Sequence, residues 1–137
     1  MIEVVNTNIQ TVAVNNAVAY DNQVVKSCNA VERWRNGSAL VTLTKAGRYL
    51  VTFSGNIAVP TDGTAGEVSL GIAQDGEILN GTVMRNTPTV VDAFFNVSAQ
   101  TYVTVPCGCC VNVSVRNTGA IPVDVDSPNL TVVRVNG

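Results

Sequence analysis

An all-β sandwich or barrel of about ten strands is the fold class this sequence predicts, and three observations point to it. Valine supplies 26 of the 137 residues and asparagine 15, a composition that favours strands joined by turns over helices. Apolar residues recur with a period of two in segment after segment, and no window carries a sustained 3.6-residue stripe. Turn signals such as Asn36-Gly37, Asp62-Gly63 and Asp75-Gly76 stand between those segments. One domain covering residues 1–137 is expected, long enough to bury a core without help from disulfides or metals.

Taken in order, residues 4–14 and 17–20 alternate as a strand and its continuation, split by the turn-tolerant pair Asn15-Asn16. The pattern weakens over 21–37, where Val24, Val25, Cys28, Val31 and Trp34 suggest one irregular strand before the Asn36-Gly37 turn. Residues 39–44 form a short strand, and Lys45-Ala46-Gly47 turns into the longest clear one, 47–59. There Tyr49, Val51, Phe53, Ile57 and Val59 share one side, with Arg48, Leu50, Thr52, Ser54 and Asn56 opposite. Pro60-Thr61-Asp62-Gly63-Thr64 is a loop. Residues 68–73 and 78–85 pair across the Asp75-Gly76 hairpin, and Asn86-Thr87-Pro88 ends the second strand. Residues 91–105 read as one long strand with Val91, Ala93, Phe95, Val97, Ala99, Val103 and Val105 on a single face. Strands at 109–116, 121–125 and 130–135 complete the chain, with the Asn117-Thr118-Gly119 turn between the first two.

The charge pattern excludes several functions. With a formal net charge of -2 and basic residues scattered singly along the sequence, no nucleic-acid footprint is visible. No run approaches the roughly 18 apolar residues of a membrane span. The start, Met1-Ile2-Glu3-Val4, lacks the basic and apolar regions of a signal peptide, so a product made and used in the cytoplasm, or assembled there, is expected.

A turn ending in Gly47-Arg48-Tyr49, an Asp75-Gly76 hairpin, a long strand stopping just before Gly108 and a closing strand recur in this order. That order resembles the antiparallel jelly-roll β-sandwich of tumour necrosis factor and of the globular head of the first complement component, over nearly the whole chain. Gly55-Asn56-Ile57-Ala58-Val59, Phe95-Asn96-Val97 and Cys109-Cys110-Val111 are similar to a bacterial and phage branch of that superfamily. That branch includes virion-associated proteins of phages of gut Firmicutes and the heads of collagen-like spore-surface glycoproteins. Val51 and Val97 stand where the animal complement domains carry aromatics, and the collagen-like stem of many such heads has no counterpart here. The resemblance implies a homotrimer in which the inner sheets pack around a threefold axis.

The residues themselves nominate a face for that contact. Leu50, Thr52 and Ser54 on one long strand, and Phe94, Asn96, Ser98 and Tyr102 on the other, mix apolar and aromatic groups with small uncharged ones. Depletion of charge with enrichment of aromatics is the composition of an interface core. The competing reading is an ordinary solvated sheet with half-exposed aromatics.

Other motifs carry less. Cys28, Cys107, Cys109 and Cys110 have the count of a zinc site, yet Cys109 and Cys110 are adjacent and there is no histidine. The alternatives are buried thiols acting as small hydrophobes, a disulfide from Cys28 to one of Cys107, Cys109 or Cys110, a metal, or reactive-thiol chemistry. Without histidine no Ser-His-Asp or Cys-His arrangement can be built, and no phosphate-cradling glycine loop opens a helix. Asp124 and Asp126, two apart, could share a strand face and suit calcium, but two carboxylates supply too few ligands and a solvated edge is the competing reading. Five Asn-X-Ser/Thr triplets are what so much Asn, Ser and Thr would produce by chance.

The function expected from residues and resemblance together is a non-enzymatic structural protein of a phage virion. It would decorate the capsid, or form a head fibre or appendage, as a homotrimer assembled in the bacterial host cytoplasm. It would contact capsid or other virion proteins, with no catalytic residue, no cofactor and no metal. The alternative is a receptor- or carbohydrate-binding head of a tail fibre or of a bacterial or spore surface protein, recognising its target through loops such as 60–65.

Overall fold

The computed structural model describes residues 1–28, 31–108 and 110–136. Among these there are twelve strands and no helix: β1 (Ile2–Val5), β2 (Gln10–Val12), β3 (Asn22–Lys26), β4 (Glu32–Arg33), β5 (Val41–Leu43), β6 (Gly47–Ala58), β7 (Val68–Gln74), β8 (Glu77–Ile78), β9 (Met84–Asn86), β10 (Phe95–Val105), β11 (Val111–Asn117) and β12 (Val123–Asn136). They form two wholly antiparallel sheets. Sheet I runs β10-β6-β12-β1-β3, with β2 also on β12, and sheet II runs β4-β5-β11-β7-β8, with β9 also on β7. This is the predicted all-β sandwich.

The core lies where the alternation placed it. Tyr49, Val51, Phe53 and Ile57 of β6 are fully buried, and so are Leu130 and Val132 of β12 beside them and Leu70, Ile72, Val113 and Val115 across the sandwich. These and their neighbours form one contiguous apolar cluster, each side chain removed from water contributing about 1.5–3 kcal/mol. Gly55 lies on the same inward face because a Cβ there would meet the Phe53 ring and the Pro128 Cα, each at 3.3 Å.

The structure departs from the sequence reading where local polar chemistry outcompetes alternation. Residues 4–14 are two strands, because Asn6 leaves the ladder. Its side chain donates to the Ala19 carbonyl and accepts from the Asn8 amide, an Asx turn that breaks the run. Residues 17–20 are not a regular strand: Ala17 bridges Arg116 and Tyr20 exchanges backbone hydrogen bonds with Gly37 and Ser38, while Val18 and Tyr20 are buried. The irregular strand over 21–37 is instead β3 in sheet I and β4 in sheet II. Residues 78–85 are not one strand. Thr82 donates its amide to Leu79, with Gly81 at φ 79°, so a turn separates β8 from β9. The strand expected from Val91 begins only at Phe95, since Asp92 has φ 60° and donates its amide to Val59. Conversely, the two closing strands are one. Ser127 takes φ 52° and the register shifts between Asp126 and Asn129, so β12 absorbs Pro128 in a bulge and continues.

Candidate functional site

β6 lies inside sheet I between the edge strand β10 and the middle strand β12, all long enough to pair along most of their length. Their outward side chains line up in rows. Tyr102, Leu50 and Val133 form one row, Gln100, Thr52 and Thr131 the next, Ser98, Ser54 and Asn129 a third, and Asn96, Asn56 and Asp126 a fourth. Of the seven face residues predicted, Leu50, Thr52, Ser54, Asn96, Ser98 and Tyr102 therefore share one surface. Phe94 does not join the ladder; it precedes β10 and is half-buried, while Phe95, expected inside, is 43% exposed at the open edge of the sheet. Val133, Thr131 and Asn129 complete the face. Their part in it is hidden in the sequence because 121–125 and 130–135 read as two separate strands.

This surface is mostly uncharged and internally tied. Asn96 donates to the Asn56 side chain and Gln100 to the Thr52 hydroxyl, each at 3.2 Å. Tyr102 is 61% exposed at its margin. The charged groups sit at the rim: Arg48 at the start of β6, Asp126 at the bulge, and Glu3 on β1, whose carboxylate accepts from Asn129 at 2.5 Å.

The two ends of the sandwich differ in charge, although the basic residues are scattered in sequence. At the Met1 end, β3 finishes with Lys26, β6 opens with Arg48, β12 carries Arg134 near its close and Lys45 occupies the β5–β6 turn, with Glu32, Asp75 and Glu77 as the acids there. At the opposite end lie Asp62, Glu67, Asp92, Asp124 and Asp126, with Arg85 beside Glu67 at 3.7 Å in an exposed pair. The expected sharing of one strand face by Asp124 and Asp126 holds, as they pair with Ala58 and Asn56 of β6, yet each carboxylate is engaged separately. The Thr11 hydroxyl donates to Asp124 at 2.5 Å and the Ser127 hydroxyl to Asp126 at 3.3 Å. No group of three or more metal-ligating side chains occurs among the described residues.

Two clefts, each of about 400 Å³, mark these ends. The acidic end has an apolar trough walled by Val59, Pro60, Ile121 and Pro122 and rimmed by Thr11 and Asp62. The Met1 end has a pocket around Glu32, bounded by Cys28, Lys45, Arg134 and Met1. Glu32 is 1% exposed; its Oε1 lies 2.6 Å from the Met1 nitrogen, and its Oε2 has no hydrogen-bond donor among the described residues. Nearby, the Tyr49 hydroxyl donates to the Lys45 carbonyl at 2.7 Å; burial raises this phenol's pKa, and Arg134 works against the rise. Cys28, Cys107 and Cys110 are all exposed rather than buried as small hydrophobes, and Cys109 lies outside the described residues. Cys28 and Cys107 carry free thiols. They follow β3 and β10, the opposite edges of sheet I, whose ends stand four strand spacings or about 19 Å apart. A bridge needs Cα atoms within about 7 Å.

No protein-family model and no curated protein sequence matches this chain. Solved structures do match it in fold. The globular domain of zebrafish complement 1qA superposes with a TM-score of 0.72 at 11% identity, covering 98% of this chain and 95% of that one. Murine APRIL superposes at 0.67 with 13% identity, covering 98% and 97%. The PRD1 vertex protein P5 superposes at 0.54 with 17% identity, covering 98% and 96%. The two antiparallel sheets are thus the jelly roll of the tumour necrosis factor and complement type.

Proposed function

We propose that the chain is a trimeric, non-enzymatic building block of a phage particle, in which the outer face of sheet I packs against neighbouring copies. The observation that carries this reading is the row structure of that face. Three aligned rows of Leu, Val, Tyr, Thr, Ser, Asn and Gln carry no charge, and only the fourth ends in one, Asp126, so charge is kept to the rim, as a surface meant for desolvation requires. The likeness to the PRD1 vertex protein, weak in sequence but nearly complete in coverage, supports a place on a virion, as capsid decoration or head appendage. The chain would then be assembled in the bacterial host. Absence of histidine from the sequence supports a scaffold over a catalyst.

The test is light scattering at micromolar concentration on the wild type and on Leu50→Arg, which puts a charge in the middle of the first row. A trimer that becomes a monomer with unchanged secondary structure supports the reading. A wild-type monomer, or a variant trimer as tight as the wild type, overturns it. Imaging of the parent particle would then locate the trimer.

A second reading, recognition of a receptor or surface glycan, is favoured by one observation, the trough beside Pro60 at the acidic end. Binding on a glycan array that is lost in Asp62→Ala would establish it.

A further inference from the structure

Two turns of this chain repeat the same local chemistry in different settings. Asn36-Gly37 joins Arg35 to Ser38 and Asn80-Gly81 joins Leu79 to Thr82, each with its glycine in the left-handed region, at φ 85° and φ 79°. Both asparagines and both glycines are exposed, and a Cβ on either glycine would meet nothing within 4 Å, so solvent reaches both turns. A third pair, Asn136-Gly137, ends outside the described residues. The difference between the two turns lies in the backbone. Gly37 donates its amide to the Tyr20 carbonyl at 3.1 Å, and Ser38 closes that turn onto Arg35 at 2.9 Å. The Gly81 amide and the Asn80 side chain have no hydrogen-bond partner among the described residues, and the closing bond from Thr82 to Leu79 is stretched to 3.4 Å. The Thr82 hydroxyl ties the foot of this turn to Leu79 and to Ile72 of β7, so its freedom is confined to the apex.

We propose that Asn80 is a self-modification site, where the Gly81 amide nitrogen attacks the Asn80 side-chain carbonyl and the asparagine becomes aspartate and isoaspartate. In the first step the nitrogen gives up its proton and bonds to Cγ, the Cγ–Nδ2 bond breaks, and ammonia leaves with that proton, closing a five-membered succinimide. In the second, water adds to either ring carbonyl and reopens the ring. Opening at Cγ yields aspartate, and opening at the backbone carbonyl yields isoaspartate, whose main chain runs through the former side chain. One water enters and one ammonia leaves, so no oxidant, metal or partner enzyme is required. Glycine permits the attack because no side chain shields its nitrogen. That nitrogen has a single N–H, which in Gly37 is already committed to Tyr20 and in Gly81 is not. Each event adds a carboxylate and makes the formal net charge of -2 one unit more negative. The turn joins two strands of sheet II, so the site is separate from the face of sheet I and does not depend on the trimer.

Asn36 provides an internal control in the same molecule. The folded protein is incubated at mildly alkaline pH, and the Asn36 and Asn80 peptides are followed by mass mapping, with isoaspartate scored by an isoaspartyl methyltransferase. The Asn80 peptide should convert about tenfold faster than the Asn36 peptide, the equivalent of one backbone hydrogen bond that must open first at Gly37. In denaturant the two rates should converge, because Asn36-Gly37-Ser38 and Asn80-Gly81-Thr82 differ only in a hydroxyl residue after the glycine. Equal rates in the folded protein, or a preference for Asn80 that persists in denaturant, would overturn the proposal. So would an Asn80 that stays intact in the folded protein while the unfolded chain converts.

Discussion

The outer faces of the two sheets are treated differently by the same chain. Sheet II is covered by its own polypeptide. All of Val68, Ser69, Leu70, Gly71, Ile72 and Ala73 are buried, on both sides of β7. Ser69 shares a 2.7 Å hydrogen bond with Thr118, and Arg116 donates to the carbonyls of Asn15 and Gly76, so loops lie across the sheet's outside. Sheet I has no such cover. β6 alternates buried and half-buried residues along its length, and among the described residues the side-chain hydrogen bonds of its outer rows stay within sheet I. A strand buried on both sides is a matter of folding, whereas a bare uncharged face over three long strands is a matter of association.

Substitutions on the two faces should therefore fail in different ways. Leu50→Arg should have the largest effect, on assembly. Loss of a central anchor costs about 2–4 kcal/mol of association, roughly a 30- to 1,000-fold rise in the dissociation constant, measurable by analytical ultracentrifugation. Below its dissociation concentration the protomer should keep its melting temperature. Gly71→Val on sheet II should do the reverse. Its new Cβ would stand 3.0 Å from Ile78 Cγ2 and 3.1 Å from Thr118 Cγ2, so overpacking should cost about 1–3 kcal/mol of protomer stability in urea titrations. If both variants lower stability equally and neither changes mass, the contrast between the faces collapses.

Two buried tyrosines sharpen the comparison inside the sandwich. Tyr20 is wholly buried with no partner for its hydroxyl among the described residues, and burial pushes its pKa far up. Tyr20→Phe should be neutral or stabilising by up to about 1 kcal/mol, because no hydrogen bond is lost. Tyr49→Phe gives up the bond to Lys45 and should cost about 1 kcal/mol. The smallest expected effect is electrostatic. The Thr7 hydroxyl, 2.7 Å from Asp21, holds that carboxyl below its ordinary range. A pKa lowered by folding means the unfolded chain takes up the proton first. Asp21's contribution is therefore complete above about pH 4 and fades as the pH falls through the folded value. Asp21→Asn should flatten the acid limb of a stability-against-pH curve relative to the wild type.

How much of this could be seen in the sequence depended on where specificity resides. The inward face of β6 was legible because five apolar residues at a period of two have few alternatives. The outer face was legible on β6 and β10 for the same reason. It was illegible on β12, where Pro128 argues for a break and only the bulge at Ser127 shows that the ladder survives. Short edge strands such as β4 carry two residues, too few for any periodicity. The charge asymmetry was invisible because Lys26, Lys45, Arg48 and Arg134 are far apart in sequence and meet only through the alternating direction of the strands. Cysteine misled for a related reason. Residue type suggests burial, but Cys107 and Cys110 flank a turn at Gly108, where exposure follows from position.

The place of β12 in sheet I also sets the order in which the protein can be made. β12 lies between β6 and β1, so before residue 123 leaves the ribosome the sheet exists only as two halves, β10 with β6 and β1 with β3. The first strand must wait some 120 residues for its neighbour, a long-range closure that is slow to form and leaves two unpaired strand edges open meanwhile. A nascent chain stalled short of β12 is a natural client for a chaperone.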